Sequence, residues 1–453
     1  MAESTNTIQK EIQDREAKER RELRRKRRQR NQILAFLTFL LFVCLIVAII
    51  GTGVWYIMHR GAGRTTGGGA ATTEETTIDN LFESEDEIVK PEETNTEPSL
   101  TPEQQLDAIL DEAFISQMPL EDKVAGLFIV TPESITGVNK AVKAGDGTKD
   151  ALNKYAVGGI VYTSQNMQDA AQFTEMVSNT MLYSRYALFT CVAEEGGSST
   201  SLEKAGLADK TDSEQAMGTG ADAAKAYEAS GKIADSMLTY GLNLNFAPVA
   251  DLATVQDSYL KDASYGSDAA LAASFVTSAV QGMQEKGISS CLKYFPGAAD
   301  MKEDPTTGMA SSDRTAEQLA AEEFTVFKAG IDAGADMVMV GHVAVPALTG
   351  DNTPCSLSSA VVTDKLRNEL GFDGVIITDA MNKGAITEYY EADEAAILAL
   401  KAGCDMILCP DDFEKAYNGV LEAVQNGTIS EERINDSLRR IYRIKYASMM
   451  PEE

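Results

Sequence analysis

From about residue 104 the chain alternates short apolar runs with longer stretches whose apolar positions recur at helical spacing. Eight runs read as strands: Val124–Val130, Val157–Thr163, Ala187–Ala193, Leu242–Ala247, Ile288–Phe295, Ala335–His342, Gly374–Asp379 and Cys404–Cys409. They are continuously apolar, the pattern of parallel strands covered on both faces. Helical patterns separate them over Met167–Tyr183, Ala221–Tyr240, Ala269–Lys286, Ala316–Ala333, Val361–Leu370 and Ala392–Ala402. Asp412–Gln425 and Ser430–Tyr446 read as closing helices, with Ser430 placed as an N-cap. This succession predicts an α/β domain over 104–453 that closes as a (β/α)8 TIM-like barrel. A doubly wound open sheet alternates in the same way, but eight strands with acidic ends favour closure.

The pattern before residue 104 is different. Ile33–Met58 holds no charged residue and is apolar nearly throughout, with Trp55 and Tyr56 near its end. About 20 apolar residues span a bilayer as a helix, and amphipathic rings settle at its interface. The apolar core is too long for a cleaved signal peptide, so residues 33–58 read as a transmembrane signal anchor. Residues 1–32 form a basic tail with eleven Lys/Arg against six Asp/Glu. By the positive-inside tendency this tail is cytoplasmic, and the single-pass chain carries its barrel outside the cell membrane. Residues 59–103 lack periodicity and turn acidic, which predicts a disordered linker.

Net charge of −29 argues against a nucleic-acid partner, while residues 33–58 imply the lipid bilayer as one. The sequence does not fix an oligomeric state. Of the six cysteines, Cys44 lies in the segment 33–58 and Cys191, Cys291, Cys404 and Cys409 in apolar strand-like runs; no pair has CxxC spacing, and His59 and His342 are the only histidines, so no metal or cofactor is expected.

Candidate chemistry gathers at strand ends. The seventh run, Gly374–Thr378, delivers Asp379 where its apolar character stops, the position at which barrel enzymes keep reactive groups. A helix-capping or turn role is the alternative for this residue. The third strand ends in Glu194-Glu195-Gly196-Gly197, the fourth leads to Asn245 and Asp251, and the fifth to Lys293-Tyr294 and a loop with Asp300, Glu303 and Asp304. His342 follows the sixth strand, and Asp411 and Asp412 follow the eighth. Convergent carboxylates with a Lys and a His suit glycan chemistry, in which a nucleophile and a proton donor flank one bond.

Five stretches carry a resemblance: EEGG at Glu194–Gly197, NLNFAPVAD at Asn243–Asp251, KYFPG at Lys293–Gly297, DMVMVGHVAVPALTG from Asp336, and GFDGVIITDAM ending at Met381. In this order the chain resembles glycoside hydrolase family 3, in its single-domain bacterial β-N-acetylglucosaminidase branch. The resemblance covers about Leu120 to Lys445; the second, sandwich-like domain of the family's larger members is not expected, since the chain stops after the closing helix. It implies Asp379 as nucleophile, and Lys293 and His342 as contacts to the sugar, although Gly341 stands where the family has Ser before that His. Glu194, Glu195, Tyr294 and Met381 fall with them on substrate-binding positions.

The departures cluster at the same site. In this branch a His on the loop after the fifth strand, oriented by an Asp, serves as acid/base. Asp304 matches the orienting Asp, but Thr306 stands where that His belongs, and Ala298 and Ala299 replace the loop's earlier His-Gly. Ala193, Ser198, Ala263 and Tyr294 replace an Asp, two Arg and a His of the family pattern. Asp304 is therefore either the remaining orienting residue or, with Asp300 and Glu303, a substitute acid. Three functions follow: a retaining glycosidase with an altered donor, a pseudoenzyme that binds cell-wall glycan or an envelope partner, and a structural scaffold.

Overall fold

The structure, a computed structural model, describes residues 102–447 apart from 199, 256 and 298–300. The basic tail, the apolar segment 33–58 and the linker up to residue 101 lie outside the described residues. Among the described residues no helix is long and apolar enough to cross a membrane.

Eight parallel strands close into a barrel in chain order: β1 Phe128–Val130, β2 Gly159–Val161, β3 Phe189–Val192, β4 Leu244–Asn245, β5 Ser289–Phe295, β6 Met337–Val340, β7 Val375–Ala380 and β8 Met406–Leu408. Closure is made by β1 on β8, with Phe128 opposite Ile407 and Ile129 opposite Leu408. All eight expected strands are present. The first is shorter than its apolar run, because Val124 and Ala125 end a helix, Leu120–Ala125, that shares the same hydrophobic stretch. A short apolar run does not separate helix from strand.

Each strand is followed by an outer helix: α1 Asp146–Lys154, α2 Ala170–Tyr183, α3 Ala224–Thr239, α4 Ala269–Gln284, α5 Glu323–Asp332, α6 Ala360–Glu369, α7 Ala392–Ala402 and α8 Phe413–Gln425, with α9 Glu431–Tyr446 closing the chain. Helix α1 has no counterpart in the sequence reading, since only Thr148, Ala151 and Leu152 of its nine residues are buried and the apolar stripe is too thin to register. The stretch 316–333 breaks at Glu322 into Ala316–Ala321 and α5, because Glu322 leaves helical geometry at φ −115° and ψ −80°. Pro102–Ile109 opens as a helix, two residues inside the span read as linker. Ser430 caps α9 as its sequence position suggested, its side chain accepting from Arg433 N–H.

The barrel's strand β7 carries the densest β-branched run and is buried from Val375 to Asp379. Gly374 precedes it, where a Cβ would sit 2.5 Å from the Asp336 carbonyl and against the Phe372 ring, so only glycine lets the strand enter here. At the barrel's opposite, amino-terminal pole, the fully buried Asp405 ties four elements together. It accepts from Arg367 at 2.7 Å, Ile376 N–H at 2.9 Å, Ser437 at 2.8 Å and Arg440 at 3.1 Å.

Candidate active site

The carboxyl-terminal mouth is built from the ends of β3, β4, β5 and β7. Asp379, at 5% exposure, sits where β7 runs out. Its Oδ1 accepts from Ala380 N–H at 2.7 Å and its Oδ2 from the Lys383 ammonium at 2.7 Å. Burial opposes its ionisation, but Lys383, His342 and the Ala380 amide outweigh that and hold its carboxyl below the ordinary aspartate value. Asp379 is therefore an anion at neutral pH, aligned by fixed donors.

Lys293 and Tyr294 lie side by side on β5. Buried Lys293 is ion-paired with buried Glu195 from the end of β3. The Tyr294 ring has the Lys293 Nζ 5.4 Å and the Lys383 Nζ 5.3 Å from its centroid, within cation–π reach of both. Burial pushes its hydroxyl well above the ordinary phenol value, so it keeps its proton and is not a proton source near neutral pH. Asp251, 1% exposed, accepts from Tyr294 N–H at 2.9 Å and thus fixes the backbone that carries both side chains. The sequence places Asp251 only as an acidic residue after the fourth strand; in the fold it lies inside the mouth.

His342 is fully buried. Its Nε2 lies 3.0 Å from the Ala380 carbonyl and its Nδ1 2.8 Å from the Ser356 hydroxyl. A carbonyl only accepts, so Nε2 carries the proton and Nδ1 accepts from Ser356. Burial lowers the imidazole's pKa, leaving a neutral ring that braces the end of β7 from behind. It touches the backbone next to Asp379 and has no open face toward a ligand.

Glu194 and Glu195 part company. Consecutive side chains of extended backbone point to opposite faces, and Glu195 takes the inner one. The Glu194 carboxylate accepts from the amides of Ser201 and Leu202 and lines a separate cavity of about 250 Å³ with Ala208, Lys210 and Lys232. Its backbone is held reciprocally by Asn245, which accepts from Glu194 N–H and donates to its carbonyl, both at 2.9 Å. Met381 is buried beside the mouth and lines a cavity of about 260 Å³ with Tyr390, Pro410 and Asp411. Asp304 is half-buried, and its Oδ1 accepts from Thr306 N–H at 2.9 Å, the geometry of a turn. Exposed Asp412 caps α8 through Lys415 N–H. Asp300 lies outside the described residues.

Three residues join the site without a sequence signal of their own function. Glu214, 2% exposed, accepts from Val249 N–H at 3.2 Å; burial and the nearby Glu195 push its carboxyl up, while Lys293 pulls it down. Tyr259, from the β4–α4 connection, stands in the electrostatic field of Asp251, Tyr294, Asp379 and Asp304. Lys383 could have been suspected from its spacing, four residues beyond Asp379. Among the described residues no group of His, Cys, Asp and Glu has a metal-holding arrangement.

The arrangement offers an ionised carboxylate, two ammonium groups and aromatic surface at one barrel mouth, which suits hydroxyl-rich ligands and nucleophilic displacement. Residues 119–444 match the family model described as glycosyl hydrolase family 3 N terminal domain. A β-hexosaminidase of Stenotrophomonas maltophilia is 30% identical over 284 residues, covering 60% of this chain and 82% of the relative. One of Xanthomonas campestris is 31% identical over 270 residues, covering 57% and 79%. Among solved structures, a glycoside hydrolase family 3 β-N-acetylglucosaminidase from Paenibacillus superposes with a TM-score of 0.69 at 32% identity, covering 74% of this chain and 64% of that one. With the family model matched over residues 119–444, most of the chain, the protein belongs to glycoside hydrolase family 3.

Proposed function

We propose that the barrel is a retaining β-N-acetylglucosaminidase-type domain that takes N-acetylglucosamine-containing glycan at its carboxyl-terminal mouth, with Asp379 as nucleophile. The observation that carries this reading is the ionised, buried Asp379 carboxylate at the end of β7, oriented by Ala380 N–H and Lys383. Retention needs this carboxylate on one side of the scissile bond and a proton donor on the other. Asp379 supplies the first; none of Thr306, Asp304 and Glu194 supplies the second. Thr306 has no proton to give near neutral pH, the Asp304 carboxylate is engaged in its own turn, and Glu194 faces another cavity.

General acid catalysis contributes about 10²–10⁴-fold, so turnover here depends on how well the leaving group departs unprotonated. A dinitrophenyl N-acetylglucosaminide is expected to be hydrolysed and a chitobiose linkage to be cleaved at least about a hundredfold more slowly. Asp379→Asn is expected to abolish both reactions. No release of dinitrophenolate above the uncatalysed rate overturns the glycosidase reading.

The Asp379–Lys383 ion pair favours a second reading, a family 3 barrel that binds cell-wall glycan without cleaving it. Calorimetric binding of chitobiose without dinitrophenolate release selects it. In either case the charge-free segment 33–58 behind a basic tail supports a single-pass anchor that presents the barrel outside the membrane, where peptidoglycan fragments are within reach. Protease digestion of intact cells tests that placement: the barrel is cut and the tail 1–32 is protected.

A further inference from the structure

Lys383 helps keep the resting Asp379 ionised, but a retaining displacement does not need an ammonium on the attacking carboxylate, and this one lies 2.7 Å from Asp379 Oδ2. With Ala380 N–H on Oδ1, both carboxylate oxygens already have donors. The Lys383 side chain is 20% exposed against 7% for that of Asp379, so the ammonium is the partner that solvent or a ligand meets first. An attacking carboxylate hands its charge to the forming ester bond. A cation bound tightly to the resting anion therefore stabilises the ground state more than the transition state, and slows the attack.

The turn that carries Lys383 is clamped. Gly384 N–H donates to the Thr306 carbonyl and Ala385 N–H to the Pro305 carbonyl, each at 3.1 Å, joining the turn to the loop after β5. A Cβ on Gly384 would lie 2.8 Å from Gly308 N and 2.9 Å from Thr307 C, so the two backbones are in direct contact. Lys383 cannot leave with its turn unless that loop leaves too; swinging the side chain alone breaks the ion pair.

We propose that Lys383 is a resident counter-ion that restrains Asp379 and has to withdraw from Oδ2 before the carboxylate can attack, a positioning role set by the loop after β5. It rests on the reading of Asp379 as nucleophile. The test is covalent trapping of the full chain by a fluorinated N-acetylglucosaminyl fluoride, followed by intact mass. An Asp379 oxygen bonds to C1 as the C1–F bond breaks and the electron pair leaves with fluoride, so no proton donor is needed.

Lys383→Met is expected to trap at least about tenfold faster than the unaltered chain, a modest drop in barrier. Lys383→Arg, which keeps the cation, is expected to stay at the original rate. Gly384→Ala, which pushes the loop off the turn, is expected to fall between them. Lys383→Gln carries the same expectation as Lys383→Met and replaces it if the Met variant does not fold. Equal or slower trapping without the cation overturns the counter-ion role and leaves the nucleophile standing. If no variant gains an adduct on Asp379 while chitobiose still binds, attack by Asp379 falls, and the counter-ion role with it.

Discussion

The carboxylate of Asp251 accepts a hydrogen bond from the backbone N–H of Tyr294 at 2.9 Å, and so fastens the segment after β4 to the strand that presents Lys293. A buried N–H left without a partner costs about 1–3 kcal/mol. Asp251→Ala is expected to lose that much stability in urea unfolding and to weaken chitobiose binding as Lys293 and Tyr294 shift. Asp251→Asn, whose amide oxygen still accepts, is expected to lose less on both measurements.

Lys293 and Glu195 form a buried ion pair at 3% and 7% side-chain exposure. Removing one partner of such a pair strands the other charge, at about 3–5 kcal/mol, whereas replacing both with apolar groups is often neutral. Lys293→Met and Glu195→Leu are each expected to destabilise by about that amount, and the double variant by much less than their sum. A double-mutant cycle in urea measures the coupling. Glycan binding is expected to be lost in all three.

Burial raises the Glu194 carboxyl to about 7. The folded state therefore holds this proton more tightly than the unfolded chain, where glutamate titrates near ~4.3. The group's stabilising contribution is complete below about pH 4 and is lost as pH rises through 7, on the order of 3 kcal/mol in all. Glu194→Gln keeps an oxygen for the Ser201 and Leu202 amides and does not titrate. Its unfolding free energy is expected to lack this decline between about pH 4 and 7, read as a difference between the two pH–stability curves.

Asp405 is fully buried against Arg367, Arg440, Ser437 and the Ile376 amide. Asp405→Ala leaves the Arg367 guanidinium without its buried partner, and a loss of about 3–5 kcal/mol is expected in urea unfolding. The barrel mouth lies at the other end of the strands, so the trapping rate of the folded fraction is expected to remain that of the unaltered chain.

Hydrophobic patterning is a local property, which is why the eight strands, most of the outer helices and the Ser430 cap could be read along the chain. Helix α1 escaped because so little of it is buried. The position of Asp379 at the end of β7 was legible for the same reason: an acidic residue stops an apolar run in a way one stretch displays. Partnership is not local. That Glu194 turns to the Ser201 and Leu202 amides while Glu195 meets Lys293, that Asp251 holds the Tyr294 amide, and that Asp405 gathers donors from three elements are decided by which segments closure of the barrel brings together. A charged side chain is written the same way whether it caps a turn, pairs in the core or attacks a sugar. Its role follows from distances and burial that exist only once β1 has met β8.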